Sequence, residues 1–237
     1  MGNKMTEKTE SGVTEASLAA NRLREEIIEG IVQPGTKLKL VPLSRRYEIS
    51  RGPLREAALR LSAEGLIQVE EQKGFRVTPI SRADLMDITR TRQRIEVLAL
   101  QDAMKHGDLT WEGKVMASCH ILERVTEHDG TPEALKIFAG HHRDFHEILV
   151  SACPSGYLLS FREHLYQLTE RYRNLAIASY QVAREKRDIA AEHQALAQAA
   201  VNRESELACR LLEEHLDKTA TALIDFYPEL FGEQKDV

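Results

Sequence analysis

The chain has 237 residues, with 32 lysines and arginines against 37 aspartates and glutamates. This length suits one large domain or two modest ones, and 42% hydrophobic residues suffice for a buried core. Charges interrupt every apolar stretch before the roughly 18 residues that a membrane span needs, and the polar N-terminus lacks the apolar block of a secretory signal. The three cysteines form neither a CxxC motif nor a disulfide framework. These features favour a soluble protein of the reducing cytoplasm, without membrane contact.

The two parts of the chain differ in charge and composition. Residues 1–80 carry 13 basic against 11 acidic side chains, whereas residues 81–237 carry 19 against 26 and all nine histidines. Strand patterns are confined to the first part, and the second part repeats apolar residues at helical spacing. We therefore expect a disordered tail over residues 1–15, a first domain over 16–80 and an all-helical domain over 81–230.

The first domain shows three helical patterns followed by two strand patterns. Apolar spacing predicts a helix over residues 16–32, which ends at a Gln-Pro-Gly turn. A short helix over 42–47 precedes a third helix with Ser50 as its N-cap. Strands at 66–69 and 75–78 follow. The fold class is therefore mainly α, with an N-terminal winged helix-turn-helix and a C-terminal bundle of about six helices.

Basic residues concentrate around the second and third helices. From Lys37 to Arg60 there are seven basic residues and two acidic ones. Such an excess suits a polyphosphate, although a solvated pair of helices would show the same composition. The order of the elements, more than the charge, favours DNA as the partner.

The blocks PGTKL, ISRGPLREAALRLSAEGLI and KGFRV resemble the GntR family of bacterial transcription regulators. In that family the third helix enters the major groove and the wing tip contacts the minor groove. The resemblance implies DNA contacts from the start of the third helix, the wing tip and the second helix. These residues are Ser50, Arg51, Gly52, Arg55, Lys73, Gly74 and Arg45. The second helix departs from the family pattern at Leu40 and Leu43, so Arg45 or Lys37 would supply its phosphate contacts.

Three histidines lie within six positions in the stretch AGHHRDFHEIL. On a helix, His142 and His146 share a face, whereas His141 and Asp144 point elsewhere. A spacing of four is common for zinc-binding histidine pairs, although a single helical histidine is more often a surface or core residue. The spacing alone leaves both interpretations open.

Two further histidines, His193 and His215, are 22 residues apart. Along one straight helix they would be about 33 Å apart and would not share an ion. If the chain reverses near Asn202, however, the two come level across an antiparallel hairpin. Four imidazoles would then converge.

The second part resembles the helical FCD domain of the FadR branch of the GntR family. Its metal-binding members carry an Asp-x-x-x-His pair, a histidine in the penultimate helix and another histidine 22 residues later, which FHEIL, EHQAL and EEHL match here. The resemblance implies metal ligands at His142, His146, His193 and His215, with His142 at the position of the family's Asp. We expect a divalent ion, zinc or nickel before copper or iron. Four neutral imidazoles leave its charge uncompensated, and a bound carboxylate would supply the missing negative charge.

The stretch RTRQRIEVLAL matches the family pattern Arg-x-x-x-Glu at Arg92 and Glu96, where the arginine faces the effector pocket. A guanidinium can clamp a carboxylate through two hydrogen bonds. A surface ion pair would show the same spacing. Arg143, Arg171 and Arg173 are further effector-binding candidates.

Together the patterns predict a ligand-responsive transcription regulator that senses a small carboxylate in a metal-containing pocket. One short recognition helix contacts few bases, so we expect a homodimer on a palindromic operator, and family habit favours a repressor. A direct metal sensor is the alternative. An enzyme is less favoured, because four ligating nitrogens leave no carboxylate base beside the ion and no catalytic residue is apparent.

Overall fold

The structure, a computed structural model, describes four stretches of the chain: residues 14–126, 131–175, 187–226 and 228–231. It divides the chain into two units, Met1–Pro79 and Ile80–Val237. Residues 1–13 of the predicted disordered tail lie outside the described residues. Glu15, the last residue of the predicted tail, is helical and not disordered. The Thr14 hydroxyl accepts a hydrogen bond from the backbone N–H of Ser17 and caps the first helix.

The first unit contains three helices and three short strands. They are α1 (Glu15–Ile28), β1 (Lys37–Leu38), α2 (Leu40–Tyr47), α3 (Arg51–Ala63), β2 (Ile67–Glu70) and β3 (Gly74–Val77). Helix α2 begins two residues before the predicted start at Pro42, because the first turn of a helix needs no N–H from proline. The order of elements is that of the predicted winged helix-turn-helix.

The sheet of the first unit is antiparallel, with β3 between β1 and β2. Lys37 pairs with Arg76 in a strand that the sequence analysis missed, since two residues are too few to show alternation. The turn between β2 and β3 is the wing tip. It closes at Gly74, whose φ of 99° lies in the left-handed region that favours glycine.

The core of the first unit lies between α1, α3 and the sheet. Leu23, Ile27, Leu54, Leu61 and Phe75 are each at most 2% exposed. Full burial of such a side chain contributes about 1.5–3 kcal/mol. This packing fixes which face of α3 is buried and leaves its polar face in solvent.

The second unit is helical throughout the described residues. Its helices are α4 (Arg82–His106), α5 (Leu109–Thr126), α6 (Pro132–Leu149), α7 (Gly156–Leu175), α8 (Ile189–Val201), α9 (Ser205–Phe226) and α10 (Pro228–Phe231). Helix α4 packs against α7 and α9, and α5 packs against α6 and α8. None of the helices in the described residues is long and apolar enough to span a bilayer.

Two local features set the positions of the histidine-bearing helices. The Thr131 hydroxyl accepts from the backbone N–H of Ala134 at 3.3 Å and begins α6, with Pro132 in the first turn. Between α8 and α9 the chain reverses over three residues, with Arg203 at φ 61°. The predicted reversal near Asn202 is therefore confirmed, and α8 and α9 pack side by side.

Candidate functional site

The start of α3, the wing tip and one position of α2 form an exposed surface on the first unit. All seven residues predicted to contact DNA are solvent-exposed: Arg45, Ser50, Arg51, Gly52, Arg55, Lys73 and Gly74. Such exposure is a requirement for DNA contact, and it is shared by many surface residues.

The N-terminus of α3 is open to solvent. Ser50 is its N-cap residue in an extended conformation, but the Ser50 side chain makes no capping hydrogen bond. The first backbone N–H groups of a helix have no partner within the helix, and they carry the positive end of its dipole. The N–H groups of Arg51 and Gly52 and the Ser50 hydroxyl are therefore suited to bind a phosphate.

The cations around this surface differ in their surroundings. Among the described residues, the four cations predicted to contact DNA have no carboxylate within ion-pair distance: Arg45, Arg51, Arg55 and Lys73. By contrast, Arg46 bonds to Glu26, and Arg60 bonds to Glu56 at 2.5 Å. Part of the basic excess in the sequence is thus neutralised within the unit.

Arg55 connects the polar face of α3 with the wing. Its guanidinium carbon lies 5.7 Å from the ring centroid of Phe75 in β3, within the range of a cation–π contact. Phe75 is 2% exposed and therefore rigidly held. The exposed end of Arg55 is consequently positioned by both elements.

In the second unit, four histidines converge in the interior. His142 and His146 come from α6, His193 from α8 and His215 from α9, and none is more than 6% exposed. One ring nitrogen from each lies within 4.8 Å of the others. Two nitrogens on opposite sides of an ion, each about 2.1 Å from it, are about 4.2 Å apart. Small side-chain rotations therefore suffice for the four rings, which we call the histidine cluster, to bind one ion.

Two members of the histidine cluster lack hydrogen bonds. Both ring nitrogens of His146 and of His193 are buried without a partner among the described residues. Buried polar atoms nearly always have a partner, and each exception needs an explanation. A metal ion would supply the missing partner, and an all-imidazole donor set suits a borderline-soft divalent ion.

The pKa values of all four histidines in the cluster are lowered. Burial lowers the pKa of His142, His146 and His193 well below the usual value near 6.5, and nearby arginines and the other imidazoles lower it further. Burial also lowers the pKa of His215 to about 4, although Glu192 opposes this shift. The four rings are therefore neutral at pH 7, which is the state that binds metal.

Glu192 orients His215. The Nδ1 atom of His215 lies 3.0 Å from the Glu192 carboxylate. Although burial opposes it, hydrogen bonds from Arg187 and His215 hold the pKa of Glu192 well below its usual range. The same Nδ1 lies 3.1 Å from Nη2 of Arg187, but the two hydrogens of that nitrogen have acceptors in Glu192 and the His215 carbonyl oxygen. Nδ1 therefore donates its proton to the ionised carboxylate, and the Nε2 lone pair is available to an ion. Carboxylate–histidine pairs of this kind are typical of metal sites.

His142 has a different neighbour. The Nη2 atom of Arg173 lies 3.1 Å from Nδ1 of His142. A guanidinium only donates, so Nδ1 accepts here and the proton of the neutral ring is on Nε2. Ligation through Nδ1 would take the lone pair that Arg173 uses, and ligation through Nε2 would move the proton to Nδ1. Metal binding by His142 therefore requires Arg173 to turn away.

The remaining polar residues of AGHHRDFHEIL lie outside the histidine cluster. The side chains of His141 and Asp144 are 38% and 60% exposed, and they approach each other to 3.7 Å. The helical spacing thus separated His142 and His146 correctly from their neighbours.

Arg92 and Glu96 form a buried pair on α4. The Nε atom of Arg92 donates to Glu96 at 2.5 Å, and the side chains are 4% and 0% exposed. The alternative of a surface ion pair is therefore wrong. Although burial opposes it, Arg92 and Arg162 hold the pKa of Glu96 below its usual value. Arg143, the third predicted effector residue, is 45% exposed and bonds to Glu163 at 2.5 Å.

Two residues of α7 that the sequence analysis did not assign to the site lie beside this pair. Arg162 is 2% exposed, and its Nε atom lies 3.7 Å from the second oxygen of Glu96. Tyr166 is fully buried, and its ring centroid is 4.9 Å from the guanidinium carbon of Arg92. A signal was present in the sequence, because Arg162 occupies a position of the apolar stripe of α7.

The fold and these two sites define a winged-helix DNA-binding protein with a helical second domain. Residues 16–77 match the gntR family of bacterial regulatory proteins, and residues 87–218 match the FCD domain. The chain therefore belongs to the GntR family and carries an FCD domain. Like its relatives, it is a DNA-binding transcription regulator and not an enzyme.

Individual relatives resemble the chain over most of its length. The chain is 36% identical to the HTH-type transcriptional regulator BphR of Paraburkholderia xenovorans over 86% of this chain and 83% of that protein. It is also 36% identical to the HTH-type transcriptional repressor GlaR of Escherichia coli over 82% and 89%, respectively. The solved structure of E. coli McbR/YncC has the same fold, with a TM-score of 0.73 at 21% identity over 91% of this chain and 99% of that one.

The buried neutral imidazoles predict a stability that depends on pH. In the unfolded chain these histidines bind protons below about pH 6.5, whereas burial keeps them neutral in the folded state. Stability is therefore full above about pH 6.5 and falls as the pH decreases toward the folded-state pKa values, by about 1.4 kcal/mol per pH unit for each histidine that stays neutral. Chemical denaturation in chelator from about pH 7.5 to 5.5 measures this slope.

The variant His193→Leu should reduce that slope, whereas His141→Ala, which changes an exposed histidine, should keep it. A wild-type stability that is constant over this pH range would show that the cluster is hydrated or already charged.

Proposed function

We propose that this chain is a ligand-responsive repressor that senses a small organic acid in a metal-containing pocket of its helical unit. The observation that carries the proposal is the convergence of four buried neutral imidazoles in the same interior as the buried guanidinium of Arg162, whose charge acts on His146. A neutral donor set leaves the charge of a divalent ion uncompensated, and an anion is the ligand that satisfies both the ion and the guanidinium. The repressor GlaR, a relative of this chain, supports the direction of regulation.

On DNA, the regulator acts as a homodimer on a palindromic operator in the cytoplasm. The first unit offers one helix start and one wing tip, and a single recognition helix contacts too few bases for useful specificity. Arg51 and Arg55 contact bases or phosphates, with Ser50 and Gly52 against the DNA backbone. The remaining proposed contacts come from the second helix and the wing: Arg45, Lys73 and Gly74.

In the helical unit, the histidine cluster holds one divalent ion, zinc or nickel. Such an ion supplies a Lewis-acidic position that a carboxylate oxygen can occupy. Glu192 keeps His215 in the tautomer that binds metal. Arg92, with Glu96 as its partner, positions the carboxylate of the effector, and Arg143 contributes from the edge of the same region through its contact with Tyr166 at 5.7 Å.

A direct metal sensor is the second candidate. The observation that favours it is the completeness of the donor set, because four nitrogens already fill a tetrahedral site. Operator release by the metal alone, in purified protein without any carboxylate, would support this alternative and contradict an organic effector. Release that requires both metal and carboxylate would support the first proposal.

The first prediction concerns operator binding by α3. Truncation of Arg51 or Arg55 to alanine should weaken specific binding by about 1–3 kcal/mol for each bidentate base contact. Arg60→Ala is the matched control, since Arg60 lies on the same helix but bonds to Glu56. Fluorescence anisotropy with operator and non-specific DNA measures the effect.

Lys73→Ala should weaken binding to both DNAs equally, because a phosphate contact carries no sequence information. Unchanged operator affinity in the Arg51→Ala/Arg55→Ala double variant would remove α3 from the interface.

The second prediction concerns the ligands of the ion. Alanine at His142, His146, His193 or His215 should lower zinc affinity strongly, and a chelator should lower the thermal stability of the wild type by mass action. Titration with a competing chromophoric chelator measures the affinity. Retention of the ion in His142→Ala together with its loss in Asp144→Ala would contradict the assigned helix face.

The third prediction separates effector response from DNA binding. Arg92→Ala should abolish the response to a carboxylate and leave operator affinity of the ligand-free protein unchanged, because Arg92 lies in the second unit. Removal of one partner of a buried ion pair is destabilising by about 3–5 kcal/mol. The double variant Arg92→Met/Glu96→Gln removes both charges of the pair, and it is therefore measured together with Arg92→Ala. A normal response in both variants would place the effector elsewhere.

A further inference from the structure

Arg162 and Tyr166 present buried polar atoms that the interior does not satisfy. They lie one helical turn apart on α7 and are 2% and 0% exposed. The Nε and Nη2 atoms of Arg162 and the hydroxyl of Tyr166 have no hydrogen-bond partner among the described residues. Burial raises the pKa of Tyr166 to about 12, so the phenol keeps its proton and can donate it in a hydrogen bond. The pair thus offers a guanidinium and a hydroxyl, both donors.

These donors lie in the same interior as the histidine cluster. The guanidinium carbons of Arg92 and Arg162 are 4.9 Å and 5.4 Å from the ring centroid of Tyr166. The guanidinium carbon of Arg143, which follows His142 on α6, is 5.7 Å from the same ring centroid. Tyr166 thus connects Arg92 and Arg162 with the helix that carries two histidines of the cluster, and the charges of both arginines also act on His146.

The charges around the cluster are balanced except at Arg162. Three arginines each have a carboxylate of their own: Arg92 with Glu96, Arg173 with Glu170 and Arg187 with Glu192. Arg162 approaches Glu96 and Glu163 only at 3.7 Å and 3.8 Å, and each of these carboxylates is bonded to another arginine. The guanidinium of Arg162 and both charges of a divalent ion thus remain without a carboxylate of their own.

We propose that Arg162 and Tyr166 form a second carboxylate subsite, so that the effector is a small dicarboxylate. This inference rests on the proposed function. One carboxylate would compensate the charge of an ion held by the histidine cluster and would bind beside Arg92. The other accepts hydrogen bonds from Arg162 and from the Tyr166 hydroxyl. A monocarboxylate leaves either the ion or the buried guanidinium without its anion, and a buried donor without a partner weakens binding.

Calorimetry with the zinc-loaded full-length protein tests this proposal. The probes are butyrate and unbranched dicarboxylates of about three to six carbons. The best dicarboxylate should bind at least about tenfold more tightly than butyrate, because it adds charge-assisted hydrogen bonds. In Arg162→Gln the affinity for the dicarboxylate should fall by about tenfold or more, and the affinity for butyrate should change by less than about threefold.

Arg171→Gln is the matched control. The sequence places Arg171 among the effector-binding candidates, but this equally buried residue of the same helix approaches Asp84, at 3.7 Å, about two turns before Arg92 on α4. It should keep the preference for the dicarboxylate. Tyr166→Phe, which removes only the hydroxyl, should reduce that preference, and it replaces Arg162→Gln if the latter does not fold.

Equal affinities of the wild type for butyrate and for every dicarboxylate would overturn the second subsite and leave the carboxylate sensor intact. An equal fall for both classes of ligand in Arg162→Gln would also overturn it. If no carboxylate binds to the zinc-loaded wild type, the proposed function itself fails.

Discussion

The desolvation of the histidine cluster is the constraint on which the helical unit depends. Folding brings α6, α8 and α9 together only if four imidazoles leave water, and four ring nitrogens of His146 and His193 then have no partner among the described residues. Each unsatisfied buried polar group destabilises the fold by about 1–3 kcal/mol. Apolar side chains at these positions would pack without that penalty. This unfavourable burial supports the proposed metal site, since an ion bound there would satisfy the unpaired nitrogens and stabilise the fold at the same time.

The arginine ion pairs around the cluster also contribute little to the stability of the fold. A buried ion pair adds little net stability, because desolvation of the two charges offsets their attraction. Arg92 and Glu96 form such a pair, and the pairs Arg173–Glu170 and Arg187–Glu192 are partly buried. These pairs are poor evidence of a stabilising design. They fix guanidinium groups at set positions around the histidine cluster while keeping the net charge low. Arg173 connects the arginine ion pairs with the histidine cluster, because its contact with His142 is incompatible with metal ligation by that ring.

Periodicity and turn chemistry predicted much of the fold and part of the site. The spacing of His142 and His146 placed them on one face, and the reversal near Asn202 brought His193 level with His215, because both arguments depend only on local geometry. The strand at Lys37 was missed because two residues carry no periodic signal. Tyr166 was not assigned to the site, since the sequence does not show whether a buried hydroxyl finds a partner. Whether Arg92 and Glu96 form a surface or an interior pair also depends on tertiary packing, because their spacing is the same in both cases.

Cations without a carboxylate of their own occur in both units, and in both they support the proposed anion site. On α3 and the wing tip, Arg51 and Lys73 are exposed, so water solvates them in the absence of DNA. The lack of an ion pair therefore costs little free energy at these positions. Arg162 has no such solvent, and its Nε and Nη2 atoms lack hydrogen-bond partners among the described residues, which is energetically much less favourable. An exposed arginine without an ion pair is therefore common and weak evidence for a ligand, whereas a buried guanidinium with unsatisfied N–H groups is rare. For this reason the interior of the helical unit constrains the chemistry of its proposed ligand more tightly than the exposed surface of the first unit constrains the operator.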